Sequence, residues 1–178
     1  VVKMVTSLSD FFRTTLSKGH DYITVKEERT HIESYLEIQQ FRYQDILDYE
    51  IQMDEEIYGY IIPKLTLQPL VENALYHGIK NKRGKGKILI TGKKQGDKII
   101  FQVIDNGKGM TEEELNSLRK KMAGTDTGDE AKGFGVSNVN QRIKYYYGGE
   151  YGVFFESKEN EGTNATIIIA AKNIQLLS

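Results

Sequence analysis

Apolar residues recur at mixed three- and four-residue steps over residues 1–18, at Val1, Met4, Val5, Leu8, Phe11, Phe12 and Leu16. That spacing predicts a helix, punctuated by Lys18-Gly19. A second helix is better marked. Thr24 stands where a side-chain oxygen caps a first turn, and Glu27 and Glu28 suit the positive N-terminal end. Ile32, Tyr35, Leu36, Ile38, Gln39 and Tyr43 continue at helical spacing, so residues 1–44 read as one helical segment. From Ile46 the period changes. Leu47, Tyr49, Ile51 and Met53 alternate with polar residues, as a half-buried strand does. Leu65–Ile79 predicts a strongly apolar helix. Lys87–Lys94 and Lys98–Ile104 read as strands joined at Gln95-Gly96-Asp97. Thr111 with Glu114 three residues on gives a capping-box pattern. Residues 121–132 are polar and Gly-rich, Gly135–Tyr147 returns to helix, and strands at 151–157 and 163–170 follow. Residues 45–178 thus predict an α/β sandwich. The pattern lacks the regular βαβ alternation of a Rossmann sheet.

Composition narrows the partners more than the fold. The 178 residues carry 24 Lys and Arg against 25 Asp and Glu, a net charge of -1. Such balance argues against a surface selected for nucleic-acid backbone or anionic lipid. Between Lys80 and Lys98 eight basic residues meet one acid, Asp97, but without interleaved aromatics this reads as a solvated hairpin face. The absence of cysteine excludes disulfides, thiolate metal sites and a Cys nucleophile. The longest apolar run, Ile167–Ala171, is too short to span a bilayer, and Val1-Val2-Lys3 has no signal-peptide pattern. The chain reads as a soluble piece of something longer. Tyr145-Tyr146-Tyr147 before Gly148-Gly149 fits helix-end packing.

Three stretches carry candidate chemistry. In LQPLVENALYHGI, Leu67–Ile79, the polar Glu72, Asn73 and Tyr76 interrupt an apolar face, with His77 one turn after Asn73. Buried amides need partners. Hydrogen bonds to a neighbouring strand would provide them, and so would a hard cation such as Mg2+, which takes oxygen ligands and phosphate together. In DNGKGM, Asp105–Met110, a carboxylate at a strand's end is followed by Gly107 and Gly109. A tight turn explains this; so does a pocket in which the carboxylate accepts a hydrogen bond from an exocyclic amine. In KGFGVSNVNQRI, Lys132–Ile143, a Gly-x-Gly leads directly into a helix whose N-terminal amides suit an anion. The dinucleotide fingerprint is absent, because no glycine follows three residues after Gly135.

An Asn-bearing helix, then DxGxG, then GxG before a helix, with Gly162-Thr163 ahead of the last strand, resembles the Bergerat ATP-binding fold of gyrase, the ninety-kilodalton heat-shock chaperones, MutL and sensor histidine kinases. IPKLTLQPLVENALYHGI, Ile62–Ile79, is similar to the "P-x-L-x-LQPLVENAxxHG" run of sensor histidine kinases of the LytS/YesM type. LSDFFRTTL and VKEERTHIESYLEIQQFRY fit the helices preceding the ATPase domain in that subfamily. The resemblance covers nearly the whole chain. It implies a two-layer sandwich, a mixed sheet with helices on one face, preceded by N-terminal helices left from a dimerisation region.

The resemblance also implies roles. Asn73 would hold Mg2+ beside the triphosphate of ATP, with His77 and Lys80 near the phosphates, and Glu72 and His77 are further catalytic candidates, Glu72 in activating water. Asp105 would recognise the adenine amino group, Gly107 and Gly109 would floor the pocket, and Thr163 would sit at the adenine edge. Residues 121–132 would form a mobile lid. Lys132, Gly133, Gly135 and Val136 would present the next helix's amides to phosphate. Hydrolysing members carry a water-activating Glu four residues before the Asn; here that position is Pro69, which favours a kinase over a fast ATPase. The implied reaction moves the γ-phosphoryl of Mg·ATP to a protein histidine, then to a response regulator. The alternative is a nucleotide-dependent binding module, or an ATP-hydrolysing relative without kinase activity. The expected phosphoacceptor context, a "PHFLxN"-like helix, surrounds none of His20, His31 and His77. That histidine is therefore expected upstream of Val1. His31, in a charged stretch, reads as a solvated helix residue. The parent is expected to be a homodimeric membrane sensor with this part in the cytoplasm, making no direct contact with membrane or nucleic acid.

Overall fold

The computed structural model describes residues 2–16, 20–124 and 134–173. Helix α1, Val2–Leu16, packs on α2, Val25–Arg42. The capping box at Thr24 is complete: its hydroxyl accepts from the Glu27 N–H, and the Glu27 carboxylate accepts from the Thr24 N–H at 2.7 Å. Two N–H groups that a helix start leaves unpaired are thereby satisfied.

The inward stripe of α2 contains polar residues as well as apolar ones: Glu28, His31, Ile32, Tyr35, Leu36 and Gln39. His31 is therefore not the solvated residue its charged neighbours suggest. It is fully buried, its ring stacked on Phe11 with centroids 4.7 Å apart, and burial holds its pKa below the ordinary value. On α1 the opposite face, with Val5, Leu8, Phe12 and Leu16, is exposed.

Two short strands join the helical segment to the domain. Strand β1, Tyr22–Thr24, pairs antiparallel with β3, Ile61–Pro63, burying Ile23 and Ile62. The main sheet comprises β2 (Leu47–Met53), β4 (Gly86–Gln95), β5 (Lys98–Asp105), β7 (Gly162–Ala170) and β6 (Gly152–Lys158), in the order β2-β4-β5-β7-β6. Strands β2 and β4 run parallel, linked through β3 and α3 (Gln68–Asn73), and every other pair is antiparallel. The sheet is mixed, as the resemblance implies. Along β5 the parity is strict: Ile99, Phe101, Val103 and Asp105 are buried, whereas Ile100, Gln102 and Ile104 are half-buried on the other side. Alternation alone thus places Asp105 on the face that carries the helices.

Helix α4, Glu112–Met122, opens on the predicted capping box of Thr111 and Glu114. Helix α5, Phe134–Tyr147, lies against β6 and α3. Buried Asn140 fastens these parts, donating to the Met122 carbonyl at 3.2 Å and accepting from the Val153 N–H at 2.9 Å.

The segment expected as one helix over Leu65–Ile79 differs in form. Leu65 is left-handed at φ 57, α3 starts only at Gln68, and Ala74–Ile79 is a π-helical turn closed by the Lys80 N–H on the Leu75 carbonyl at 2.9 Å. The wider turn shifts the face on which His77 and Gly78 emerge, and π-bulges of this kind recur at functional sites.

Candidate functional site

A cavity of about 490 Å³ opens between the end of α3, the DNGKGM loop and α4. Its wall includes Asn73, His77, Gly78, Asp105, Gly109 and Thr163, together with Lys108, Met110 and, from α4, Ser117, Leu118 and Lys121. Two motifs distant in sequence, the Asn-bearing helix and DxGxG, therefore face one space.

Asp105 lies at its floor. One carboxylate oxygen accepts from the Gly107 N–H at 2.8 Å. Burial pushes the pKa up to about 6, outweighing the Gly107 and Thr163 N–H groups and the positive charge of Lys82, which favour ionisation. Lys82 itself donates to the Asn106 carbonyl at 2.7 Å. The result is a desolvated carboxylate that remains mostly ionised at neutral pH, able to accept from a planar amine.

The floor exists because three side chains are missing. A Cβ at Gly107 would fall 2.3–2.5 Å from the Gly78 backbone, and one at Gly78 would fall 2.5 Å from Asp105 Oδ1. Strand end and π turn touch here through bare backbone. At Gly109 φ is +65, and a Cβ would meet the Lys158 carbonyl oxygen at 2.0 Å. Across the pocket, Ser157 Oγ accepts from the Met110 N–H at 2.9 Å and lies 2.8 Å from Thr163 Oγ1, which fixes the edge where Thr163 stands.

The other expected site residues are distributed as follows. Asn73 is half-buried and His77 exposed, and both line the cavity. Glu72 lies outside the lining, its carboxylate accepting from Gln68 Nε2 at 3.0 Å. Lys80 is also outside; its Nζ sits over the rings of Tyr76 and Tyr43, 4.6 and 5.2 Å from their centroids. Gly135 is exposed, and a Cβ there would fall 3.3 Å from Pro69 Cβ, so α5 begins against the start of α3. Val136 is buried in the core. Lys132, Gly133 and residues 125–132 of the expected lid lie outside the described residues. Gly78, Lys108, Met110, Ser117 and Leu118 were not assigned roles from sequence, and Lys121, expected as the start of the lid, instead lies in the last turn of α4. Gly78 had a usable signal in its adjacency to His77; the α4 residues had none, because only the tertiary fold brings them to the motifs.

The donor set bears on which cation fits. Among the described residues no three acidic or histidine side chains converge as a self-sufficient metal cage. A single amide oxygen at Asn73 suits a hard ion that brings its remaining oxygens with a bound phosphate and water.

A mixed sheet with helices on one face, and a pocket formed by an Asn helix and a strand-end carboxylate, define a Bergerat-type nucleotide domain. The family model for "Histidine kinase-, DNA gyrase B-, and HSP90-like ATPase" matches residues 63–173, and that for "Histidine kinase" matches residues 1–47. The chain belongs to this ATPase family, in its histidine kinase branch. It is 34% identical over 173 residues to sensor histidine kinase YesM of Bacillus subtilis, covering 97% of the chain and 28% of that protein. With sensor protein LytS of Bacillus anthracis it shares 30% identity over 171 residues, 96% of the chain and 28% of the relative. The chain thus spans under a third of the length of these relatives. The solved catalytic domain of histidine kinase ThkA has the same fold, with TM-score 0.63 at 19% identity over 85% of this chain and 97% of that one. No helix among the described residues is long and apolar enough to cross a membrane.

Proposed function

We propose that the chain is the ATP-binding catalytic part of a two-component sensor kinase, transferring the γ-phosphoryl of Mg·ATP to a histidine for relay to an aspartate of a response regulator. The observation that carries this reading is the convergence of Asn73 and His77 with the desolvated Asp105 in one cavity. Asp105 accepts from the adenine amino group, and Thr163, held by Ser157, borders the base. Gly107 and Gly109 let the backbone approach the nucleotide. Asn73 would hold Mg2+, which would supply neutralisation of phosphate charge. His77 and the N-terminal amides of α5, from Gly135 onward, face the phosphates.

In the transfer, the bond between the γ-phosphorus and the bridging oxygen of ADP breaks, and a phosphorus–nitrogen bond to imidazole forms. The imidazole N–H proton leaves to a base. Rate comes from positioning and charge neutralisation, with little covalent work by the protein. Pro69 supplies no water-activating carboxylate, in keeping with transfer over hydrolysis. His31 is sealed beneath Phe11, His77 belongs to the pocket, and exposed His20 lacks the PHFLxN-like context, so the acceptor in this reading is a histidine outside this chain. The exposed apolar face of α1 fits a parent that dimerises through its helices. The relatives named as sensors support a membrane-bound parent with this part on the cytoplasmic side.

The test supplies the chain with γ-labelled ATP, Mg2+ and a helical segment of the parent bearing its phosphoacceptor. Acid-labile label on that segment, lost with Asn73→Ala, is the expected result. Release of free phosphate at the same rate with or without the segment would point to hydrolysis instead.

A further inference from the structure

The loop that launches α3 is gripped from both sides. From α2, fully buried Glu28 accepts the Leu67 N–H at 2.7 Å on one carboxylate oxygen and the Leu65 N–H at 3.1 Å on the other. From α5, Arg142 donates to the Lys64 and Leu65 carbonyls, each at 3.0 Å. Thr66 closes the loop on itself through the Pro63 carbonyl at 2.6 Å. Leu65 sits at φ 57, a left-handed conformation that a leucine adopts only under constraint.

The grip is costly to keep. Burial pushes Glu28 up to about 7 against the pull of its N–H donors and of Arg142. A carboxylate retained in such a place is most simply explained by what it holds. The Leu67 carbonyl accepts from the Leu70 and Val71 N–H groups, so the clamped peptide is the first turn of α3. Asn73 follows six residues later, about 9 Å along the axis. Arg142 lies two turns into α5, whose start packs against Pro69. The loop therefore sets the relative placement of the two helices assigned to the phosphate side of the pocket. Asp105, on β5, is held chiefly by the sheet ladder to β4 and β7.

We propose that Glu28, acting with Arg142 through the loop 64–67, is a positioning residue for the triphosphate side of the nucleotide site. Glu28 lies outside the residues 63–173 matched by the ATPase family, so part of the site's geometry is supplied by the preceding helical segment. This inference rests on the nucleotide-binding reading of the site. It also gives the orientation of α2 a direct mechanical route to Asn73.

The test is Glu28→Gln in the 178-residue chain. Glutamine accepts one N–H but sets its own amide N–H2 against the other. Binding of Mg·ATP and of adenosine is measured by calorimetry, with amide exchange read at Leu65 and Leu67. The expected result is about tenfold weaker Mg·ATP binding, adenosine affinity within twofold of wild type, and faster exchange at both amides. A general loss of stability would not separate the two ligands. Unchanged Mg·ATP affinity, or equal weakening of both ligands, overturns the proposal. Arg142→Met attacks the opposite side of the clamp and is expected to give the same split, so the test survives if Glu28→Gln fails to fold. Absence of Mg·ATP binding by the wild-type chain would remove the nucleotide reading itself, and this inference with it.

Discussion

The pH dependence of Asp105 separates recognition from folding. Burial raises its pKa from the ordinary 3.8 to about 6, because the carboxylate is desolvated between β5 and the π turn. An adenine amino group requires the ionised form as acceptor. Ionisation falls from about 99% at pH 8 to about 10% at pH 5, so adenosine affinity should fall about tenfold over that range. Stability moves the other way. The folded state holds this proton more tightly than the unfolded chain does, so the contribution is present at low pH and is lost as pH rises from about 4 to about 6, by about 3 kcal/mol. Other carboxylates titrate in the same window, and the informative quantity is the difference between wild type and Asp105→Asn. Adenosine calorimetry and urea unfolding from pH 5 to pH 8 provide it, the nucleoside having no phosphate to confuse the titration. The reasoning is refuted if both proteins show the same pH profile in binding and in stability.

Three further outcomes follow from contacts elsewhere. Gly78→Ala would place a methyl 2.5 Å from Asp105 Oδ1; denaturant unfolding should show a loss of about 1–3 kcal/mol, accompanied by lost adenosine binding. Thr24→Ala removes one half of the α2 capping box, and should cost about 1 kcal/mol in the same assay, with faster amide exchange confined to the first turn of α2. Asn140→Ala leaves the buried Val153 N–H and Met122 carbonyl without that partner, a loss of about 1–3 kcal/mol by thermal or urea unfolding.

Sequence pattern revealed most where physics is local. Both capping boxes, at Thr24 and Thr111, and the β4–β5 hairpin with Gly96 at φ +61 depend on residues within a few positions of each other. The parity that buries Asp105 is legible in the alternation of Ile99, Phe101 and Val103. What escaped was non-local. The β1–β3 pair is three residues long on each side, and its partners lie about forty residues apart. His31 is buried because Phe11, on another helix, covers it, and no local charge pattern encodes that cover. The π turn carries Gly78 into close backbone contact with Gly107, a pairing of residues far apart in sequence. A periodicity of 3.6 residues predicts only a continuous helix there. Asn73 and Asp105 were identified by the motifs around them, whereas the α4 wall of the same cavity had no motif to mark it.

The nucleotide site is tested most directly by calorimetric binding of ATP, ADP and GTP to the chain, with and without Mg2+, in wild type and Asn73→Ala. The account predicts adenine-selective binding in which Mg2+ strengthens ATP, with the Mg2+ effect lost in the Asn73→Ala protein and the adenine preference retained through Asp105. Equal affinity for ATP and GTP, or an ATP affinity indifferent to both Mg2+ and Asn73, would contradict it.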